Sequence, residues 1–530
     1  MIITTVLAGC STNGGSNSSS KSANTSSTNN KQSASTEQPA DQSGPYAERL
    51  SIKWLGFNEQ GHLPKDDTLI EKIIEERYNI DIENVKVDTY NKEQVNIYFA
   101  SGDEADVIYY VGTSLQQMVD SGVIRSVPFE WMEQYAPSIV KSLNKNVPQE
   151  LWLKQVSIDD QFYAIPTLST TWLTPRVMVM RKDWMEAVGV SEVPTTLQAL
   201  EELLIKIRTN DPDGNGLKDT YALNKFSSTT DAIDLVNPYI FGMYGVRVGF
   251  WHEEAGNLIH ASVHPGFKEG LKVLNDWYKK EIFDPEIVLD DRPKLISKFE
   301  NGTVGGFFEQ DSWLDPGNQA APLFLLKQKN PNAEYVFIPP VAGENGVAAT
   351  STMNTNPVGA PGLFFGANTS DEKVIRILRM LNDVYSDPEL LALVEFGLEG
   401  EHYTIDENGY YNPVEGQFSQ EAITERGARR FYLRNFLNDL AIPMRLVPSR
   451  MGVYDEIKDF PTVDAPLYQP VIDSEYKQAL DDITKEYFWK AVVGQEDVDA
   501  TWDQYVDRWM KAGGTAATEK ANAEYKEVMQ

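Results

Sequence analysis

The stretch whose spacing is most specific for chemistry is Asp211-Pro212-Asp213-Gly214-Asn215-Gly216-Leu217-Lys218-Asp219. Counted from Asp211, side-chain oxygens stand at positions 1, 3, 5 and 9 (Asp211, Asp213, Asn215, Asp219), a glycine at 6 permits a sharp turn, and the Leu217 carbonyl falls at 7. Those are the first nine positions of an EF-hand loop, and the hard cation to expect is Ca2+. Position 12 is Ala222, so the bidentate glutamate is missing and lower coordination or weaker binding should follow. The ion would staple the loop and take no part in catalysis. The competing reading is an ion-free turn, since Asp, Asn and Gly favour turns anyway.

A second chemical handle is Cys10, the one cysteine of the chain, at the end of Leu7-Ala8-Gly9-Cys10. A short apolar run ending in small residues and a cysteine resembles the lipobox of bacterial lipoproteins, where cleavage exposes a thiol for acylation. Met1 to Thr5 lacks the basic n-region and most of the apolar h-region, so residues 1–10 read as a truncated signal and lipobox. The Ser-, Asn- and Thr-rich tract 11–45 then reads as a flexible spacer. The alternative is a free thiol on a disordered tail.

The body that such a tether would carry is long and acidic. With 530 residues, 41% of them hydrophobic, it can bury at least two cores. A net charge of −31 argues against nucleic acid and against adhesion to anionic lipid, both of which need clustered Lys and Arg. No apolar run after the start is long enough to span a bilayer, so membrane contact would come through Cys10 alone. A single cysteine rules out a disulfide framework and is neutral on compartment.

Order is expected from Leu50. Leu50–Leu55 alternates as a strand, and the apolar Leu69, Ile70, Ile73 and Ile74 share one face of a helix over 66–78. A second strand is expected at Val85-Lys86-Val87, a helix over 92–100, and a buried strand from Asp106 to Val111. This β-α-β-α-β order implies a parallel sheet, whose ligands bind beyond the C-terminal strand ends; that nominates Phe57, Asn58 and Glu59 after the first strand and Tyr110 after the third. Val177–Met180 reads as a strand of a second sheet. The helix after it is expected to be capped by Thr195 with Gln198, its stripe running through Leu197, Leu200, Leu203, Leu204 and Ile207. Trp251–Glu254 with Asn257–His260 reads as a hairpin, and His252, His260 and His264, whose spacings match no metal site, as surface histidines.

Several of these elements, in their order, resemble the family 1 extracellular solute-binding proteins of sugar ABC importers. They are the lipobox and spacer, Ala100-Ser101-Gly102-Asp103 ahead of Asp106-Val107-Ile108, Tyr163-Ala164-Ile165-Pro166, and Arg181-Lys182-Asp183-Trp184 with its Pro194-Thr195 helix. Gly397-Leu398-Glu399-Gly400-Glu401-His402-Tyr403 is similar to a segment of the large lipoprotein branch that includes the LplA-like and alginate-oligosaccharide-binding proteins. The resemblance implies an α/β, two-lobed periplasmic-binding-protein-like fold of type II with an interlobe hinge and a helical C-terminal region. The lobes would be 46–168 with about 350–400, and 169–349 with about 401–530.

It also implies an aromatic brought to the ligand by Glu309-Gln310-Asp311-Ser312-Trp313. Trp313 is then the first stacking platform, with Glu309 and Asp311 as hydroxyl acceptors, because a sugar offers a C–H-rich face and hydroxyls that need partners. Trp172, after another strand, is the second platform. The expected mechanism is capture: an oligosaccharide between Trp172, Trp313 and Tyr403 on one side and Asn58, Glu59 and Tyr110 on the other, delivered by a lipid-anchored monomer to membrane permease subunits, with no covalent chemistry. Two other classes stay open. One is a secreted glycan hydrolase using a carboxylate pair such as Glu59 with Glu309; the other is a surface lipoprotein binding a peptide or another solute. The acidic balance makes a neutral sugar a more natural ligand than a polyanion such as alginate, although a local Arg pocket could override it.

Overall fold

The computed structural model describes residues 46–529 apart from 60, 110–113, 169–173, 226–232, 234–235, 319, 353–357, 435, 437, 446–447 and 464. The chain divides into two units, 1–47 and 48–530, and the elements that follow belong to the second.

A five-stranded sheet is built on Leu50–Leu55, whose alternation buries Ile52 and Trp54. Across the sheet the order is Ile80–Asn84, Leu50–Leu55, Val107–Tyr109, Val358–Phe365, Ala164–Leu168. The first three run parallel and Val358–Phe365 runs against its two neighbours. The helix Leu69–Tyr78 is capped by Thr68, which accepts from the Glu71 amide at 3.3 Å, and it buries Ile70, Ile74 and Tyr78. It ends on Asn79 in the left-handed region (φ 49°), and the chain enters the sheet at once. That is why the second strand lies at Ile80–Asn84 and not at 85–87: Ile80 and Ile82 pair with Leu50 and Ile52 as the alternation requires.

The second sheet has the order Tyr335–Ile338, Val177–Arg181, Val304–Glu309, Tyr221–Leu223. Val177–Met180 is wholly buried because both faces are covered. Met178 and Met180 enter a core with Leu200, Leu203, Leu204 and Ile207, while Val177 and Val179 enter another with Leu295, Phe299 and Leu323. The helix Leu197–Thr209 is capped by Thr196, one residue later than expected, which accepts from the Ala199 amide. The Thr195 carbonyl is instead engaged by the Ala342 amide at 3.1 Å.

The chain passes from one sheet to the other three times, between Leu168 and Val177, between Ile338 and Val358, and between Arg445 and Pro448. In the middle of these the Arg176 amide donates to the Ser351 carbonyl at 2.8 Å, and Thr350 exchanges backbone bonds with Pro461 and Val463. Gly242 is required here: a Cβ would lie 2.1 Å from the Ala349 carbonyl oxygen.

Residues 401–445, expected with the second lobe, contact first-sheet elements. Phe431 meets Trp54 edge-on at 5.7 Å, Arg430 donates to Asn84, Phe57 and Trp54, and Phe436 bridges Leu168. The helix Pro448–Ile457 returns to the second sheet, sending Val453 and Ile457 into the core of Val177 and Val179. Helices Ser474–Val492, Val498–Trp509 and Thr515–Met529 close the chain, with Trp502, Tyr505 and Trp509 buried.

Those helices correct the reading of the histidines. Asn522 exchanges hydrogen bonds with the backbone of Leu258, which draws the last helix over the hairpin Trp251–Glu254/Asn257–His260. Beneath this cover His252, His260 and His264 are all buried. His260 stacks on Trp509 at 5.5 Å, and burial drives its imidazole pKa down to about 3. Among the described residues no helix is long and apolar enough to cross a membrane.

Candidate functional site

The pairing registers put Leu55, Tyr109, Leu168 and Val358 at one edge of the first sheet, and Val177, Leu223, Glu309 and Ile338 at one edge of the second. The crossings run between these two edges, so residues just past them are placed to meet a ligand lying between the sheets.

On the first edge the chain leaves Leu55 into Phe57, Asn58 and Glu59. Phe57 packs edge-on against Tyr109 at 5.6 Å and against the half-exposed Tyr90 at 6.2 Å, and the Arg434 guanidinium lies 4.2 Å over its ring. Asn58 is turned inward. Its oxygen accepts from the Thr89 amide and hydroxyl at 3.0 and 2.6 Å, and its amide donates to Asp88 at 3.2 Å. Its role is therefore to fix the 88–90 turn that presents Tyr90. Glu59 accepts from Arg429 at 3.2 Å, and Arg429 also holds Glu395 at 3.0 Å. Arg429, Arg434 and Tyr90 were missed in the sequence because they reach this edge from segments whose placement no local pattern encodes.

On the second edge, strand Val304–Glu309 runs into the short helix Asp311–Leu314. Glu309 is buried, accepts from the Gln310 amide at 2.8 Å and lies 3.4 Å from the Arg292 guanidinium. Arg292 in turn sits 4.3 Å over the half-buried Trp313 ring. Asp311 is fully buried and joins two parts of the chain, accepting from the Thr174 hydroxyl at 3.1 Å and from Arg450 Nε at 2.8 Å. It shapes the edge and is spent on those bonds. Trp313 and Glu309 are thus brought together, with Arg292 between them.

Tyr403 has other neighbours. It opens the hairpin Tyr403–Ile405/Tyr411–Pro413, where its ring packs at 5.3 Å on Phe396 and 5.4 Å on Tyr411, and burial pushes its phenol up to about 12. Arg426 and Arg429 tie this region to the helix Pro388–Phe396, on the first-sheet side, so the structure does not bring Tyr403 beside Trp313. Tyr110, Trp172 and Cys10 lie outside the described residues.

The Asp211–Asp219 loop folds on itself. Asp211 accepts from the Gly216 and Asn215 amides at 2.8 and 3.1 Å, and its pKa is lowered, chiefly by the Gly216 bond. Asp213 is raised, first by burial and then by its bond with Asp211. The Asn215 amide nitrogen bridges Asp213 at 2.8 Å and Asp219 at 3.2 Å, and Asn215 Oδ1 accepts from the Leu217 amide at 2.7 Å. Asp211, Gly214 and Gly216 all take positive φ. Asp211 is thus turned to the loop's own amides while Asp213 and Asp219 share the Asn215 side-chain nitrogen, and among the described residues the three carboxylates do not close into one group; the oxygen donors themselves are of the hard kind that suits Ca2+. A further acidic group, Asp284, Glu286 and Asp290, went unnoticed in the sequence. It gathers round the Lys298 ammonium at 2.7, 2.8 and 2.6 Å, so a lysine supplies the positive charge there.

Two α/β lobes built on separate sheets, linked by crossings and facing each other with aromatic and charged side chains, define a two-lobed binding protein of the type II architecture. The chain belongs to the bacterial extracellular solute-binding protein family, whose model matches residues 61–375, more than half its length. It is 21% identical over 495 residues to the polygalacturonan/rhamnogalacturonan-binding protein YtcQ of Bacillus subtilis (strain 168), covering 92% of this chain and 93% of that one. It is 23% identical to lipoprotein LipO of the same organism, over 82% of this chain and 84% of that one. The ABC-transporter substrate-binding protein FusA of Streptococcus pneumoniae, solved in complex with kestose, superposes with a TM-score of 0.70 at 16% identity, over 91% of this chain and 99% of that one. An EF-hand mutant of FusA in complex with fructo-nystose superposes equally well.

Proposed function

We propose that this protein is the extracellular capture subunit of an ABC importer. An oligosaccharide settles between the two sheet edges, the lobes close on it, and the closed form docks on membrane permease subunits. The observation that carries this is the pair of facing edges, each bearing an aromatic with a guanidinium over it: Phe57 with Arg434, and Trp313 with Arg292. Sugar-binding relatives such as FusA share the fold over nine-tenths of the chain. The first lobe would comprise 46–168 and about 350–445, the second 169–349 and about 446–530. The proposed ligand set is Trp313, Glu309 and Glu59 together with Trp172 and Tyr110; Asn58 and Asp311 act by positioning.

Capture without cleavage is the reading favoured over hydrolysis. Glu59 and Glu309, the carboxylates a hydrolase would need across a sugar bond, are each engaged by an arginine on their own edge. We further propose that the Asp211–Asp219 loop holds a structural Ca2+, supported by its donor set and by the EF-hand of FusA. Acylation of Cys10 would tether a monomeric body to the outer face of the cell membrane, a reading supported by LipO, a lipoprotein. The screen that tests the function is thermal unfolding against oligosaccharides and against peptides of similar mass. A ligand at one hundred times its Kd raises stability by about 2.7 kcal/mol, so a sugar class that shifts the melting point while peptides do not supports the proposal. Shifts with peptides alone would overturn it.

A further inference from the structure

The first-sheet edge carries a cation whose task inside the protein is incomplete. Arg434 is half-buried, one face of its guanidinium lies on Phe57, and its buried Nε has no hydrogen-bond partner among the described residues. Its neighbours behave differently. Arg430 satisfies three acceptors, and Arg429 holds two carboxylates. The two acidic groups that act on Tyr90 in this corner are already taken: Glu59 by Arg429, and Asp88 by the Asn58 side chain and the Tyr90 amide at 2.9 Å. A guanidinium stacked by its face keeps its N–H edge for a planar anion, and a carboxylate fits that edge bidentately. Tyr90, with half its surface in solvent, stands on the same phenylalanine and offers a platform for the ring that bears the anion.

We infer that the captured oligosaccharide is acidic, a uronate whose carboxylate is gripped by Arg434 while its sugar ring rests on Tyr90. This rests on the oligosaccharide reading and refines it. It also replaces the expectation of a neutral ligand drawn from the net charge. An overall charge acts at long range and is screened beyond about 8–10 Å at physiological salt, whereas a stacked, partly desolvated guanidinium acts at contact.

The test titrates the full-length protein with short oligomers of galacturonate, mannuronate and glucuronate, each beside its carboxyl-reduced neutral counterpart, and with kestose. At least one uronate should bind tenfold or more tighter than its reduced form. Arg434→Gln should bring the two within about twofold while leaving the melting temperature within a few degrees of the parent, and Arg434→Lys should restore part of the preference. Binding of reduced sugars or kestose as tight as any uronate would overturn the acidic ligand and leave sugar capture standing. A uronate preference that survives Arg434→Gln would overturn the role of Arg434. No binding by any of these sugars would overturn both the inference and the oligosaccharide reading beneath it.

Discussion

Arg430 donates from Nε to the side-chain oxygen of Asn84 at 2.8 Å, across 346 positions of sequence. The same wholly buried guanidinium donates to the carbonyls of Phe57 and Trp54 at 3.1 and 3.0 Å. One side chain from the late chain thereby fixes the end of the first strand and the start of the second crossover, on which the ligand edge hangs. Arg430→Ala removes three hydrogen bonds from a buried site and is expected to cost roughly 3–5 kcal/mol in urea unfolding, with weaker ligand binding as well. A loss below 1 kcal/mol would mean that the late segment is not integral to this lobe.

Trp313 is half-buried under Arg292 and stands at the second edge. Trp313→Ala should weaken oligosaccharide binding about tenfold, the scale of one lost stacking contact, which is about 0.5–1.5 kcal/mol beyond area burial. Calorimetric titration of the variant beside Trp489→Phe, a tryptophan under Lys225, separates the ligand platform from general packing. Equal effects would deny Trp313 its platform.

His260 supplies a pH dependence. Its folded pKa, lowered to about 3 by burial between Trp251 and Trp509, lies below the unfolded value near 6.5. Between those values the unfolded chain binds the extra proton, so stability is full above about pH 6.5 and falls as pH drops toward 3, by up to about 1.4 kcal/mol per unit. His252, also lowered by burial, acts in the same direction. Urea midpoints measured from pH 7.5 to 4.5 should fall less steeply for His260→Gln than for the parent; identical slopes would place the proton elsewhere.

The loop Asp211–Asp219 predicts a metal response. EDTA should lower the melting temperature and Ca2+ should restore it better than Mg2+, which demands tighter octahedral geometry. Asp213→Ala should behave as the EDTA-treated parent does and ignore added Ca2+. An atomic-absorption measurement showing no calcium, together with a melting point indifferent to both treatments, would leave the loop an ordinary turn.

Much of this was legible because the signals were local. Leu50–Leu55 alternates, Val177–Met180 is a continuous apolar run, and the stripe from Leu200 to Ile207 repeats at helical spacing, so strands and helix follow from period alone. The misses share the opposite character. The strand lies at Ile80–Asn84, five residues ahead of the expected start at Val85, because an asparagine cap turns the chain straight from the helix into the sheet. The histidines were misread because their cover is a helix some 260 residues later, pinned by Asn522 to Leu258. At the site, Glu309 and Trp313 are neighbours in sequence and were found together, whereas Arg434, Arg429 and Tyr90 meet Phe57 and Glu59 only through the fold.

The anchor predicts a simple phenotype. Exported behind an intact signal, the Cys10→Ser protein should appear in the medium and bind its ligand as the parent does, since Cys10 is the proposed acylation site and no member of the proposed ligand set. Retention in the membrane fraction would contradict the tether.

The central claim is capture of an intact oligosaccharide, and the most direct measurement is tryptophan fluorescence titrated with an oligosaccharide panel, followed by chromatography of the recovered sugar. Trp313 at the edge should give a saturable change in emission with at least one oligosaccharide, and that sugar should return at its original length. Shortened products would contradict capture in favour of hydrolysis, and unchanged emission across the panel would contradict sugar binding itself.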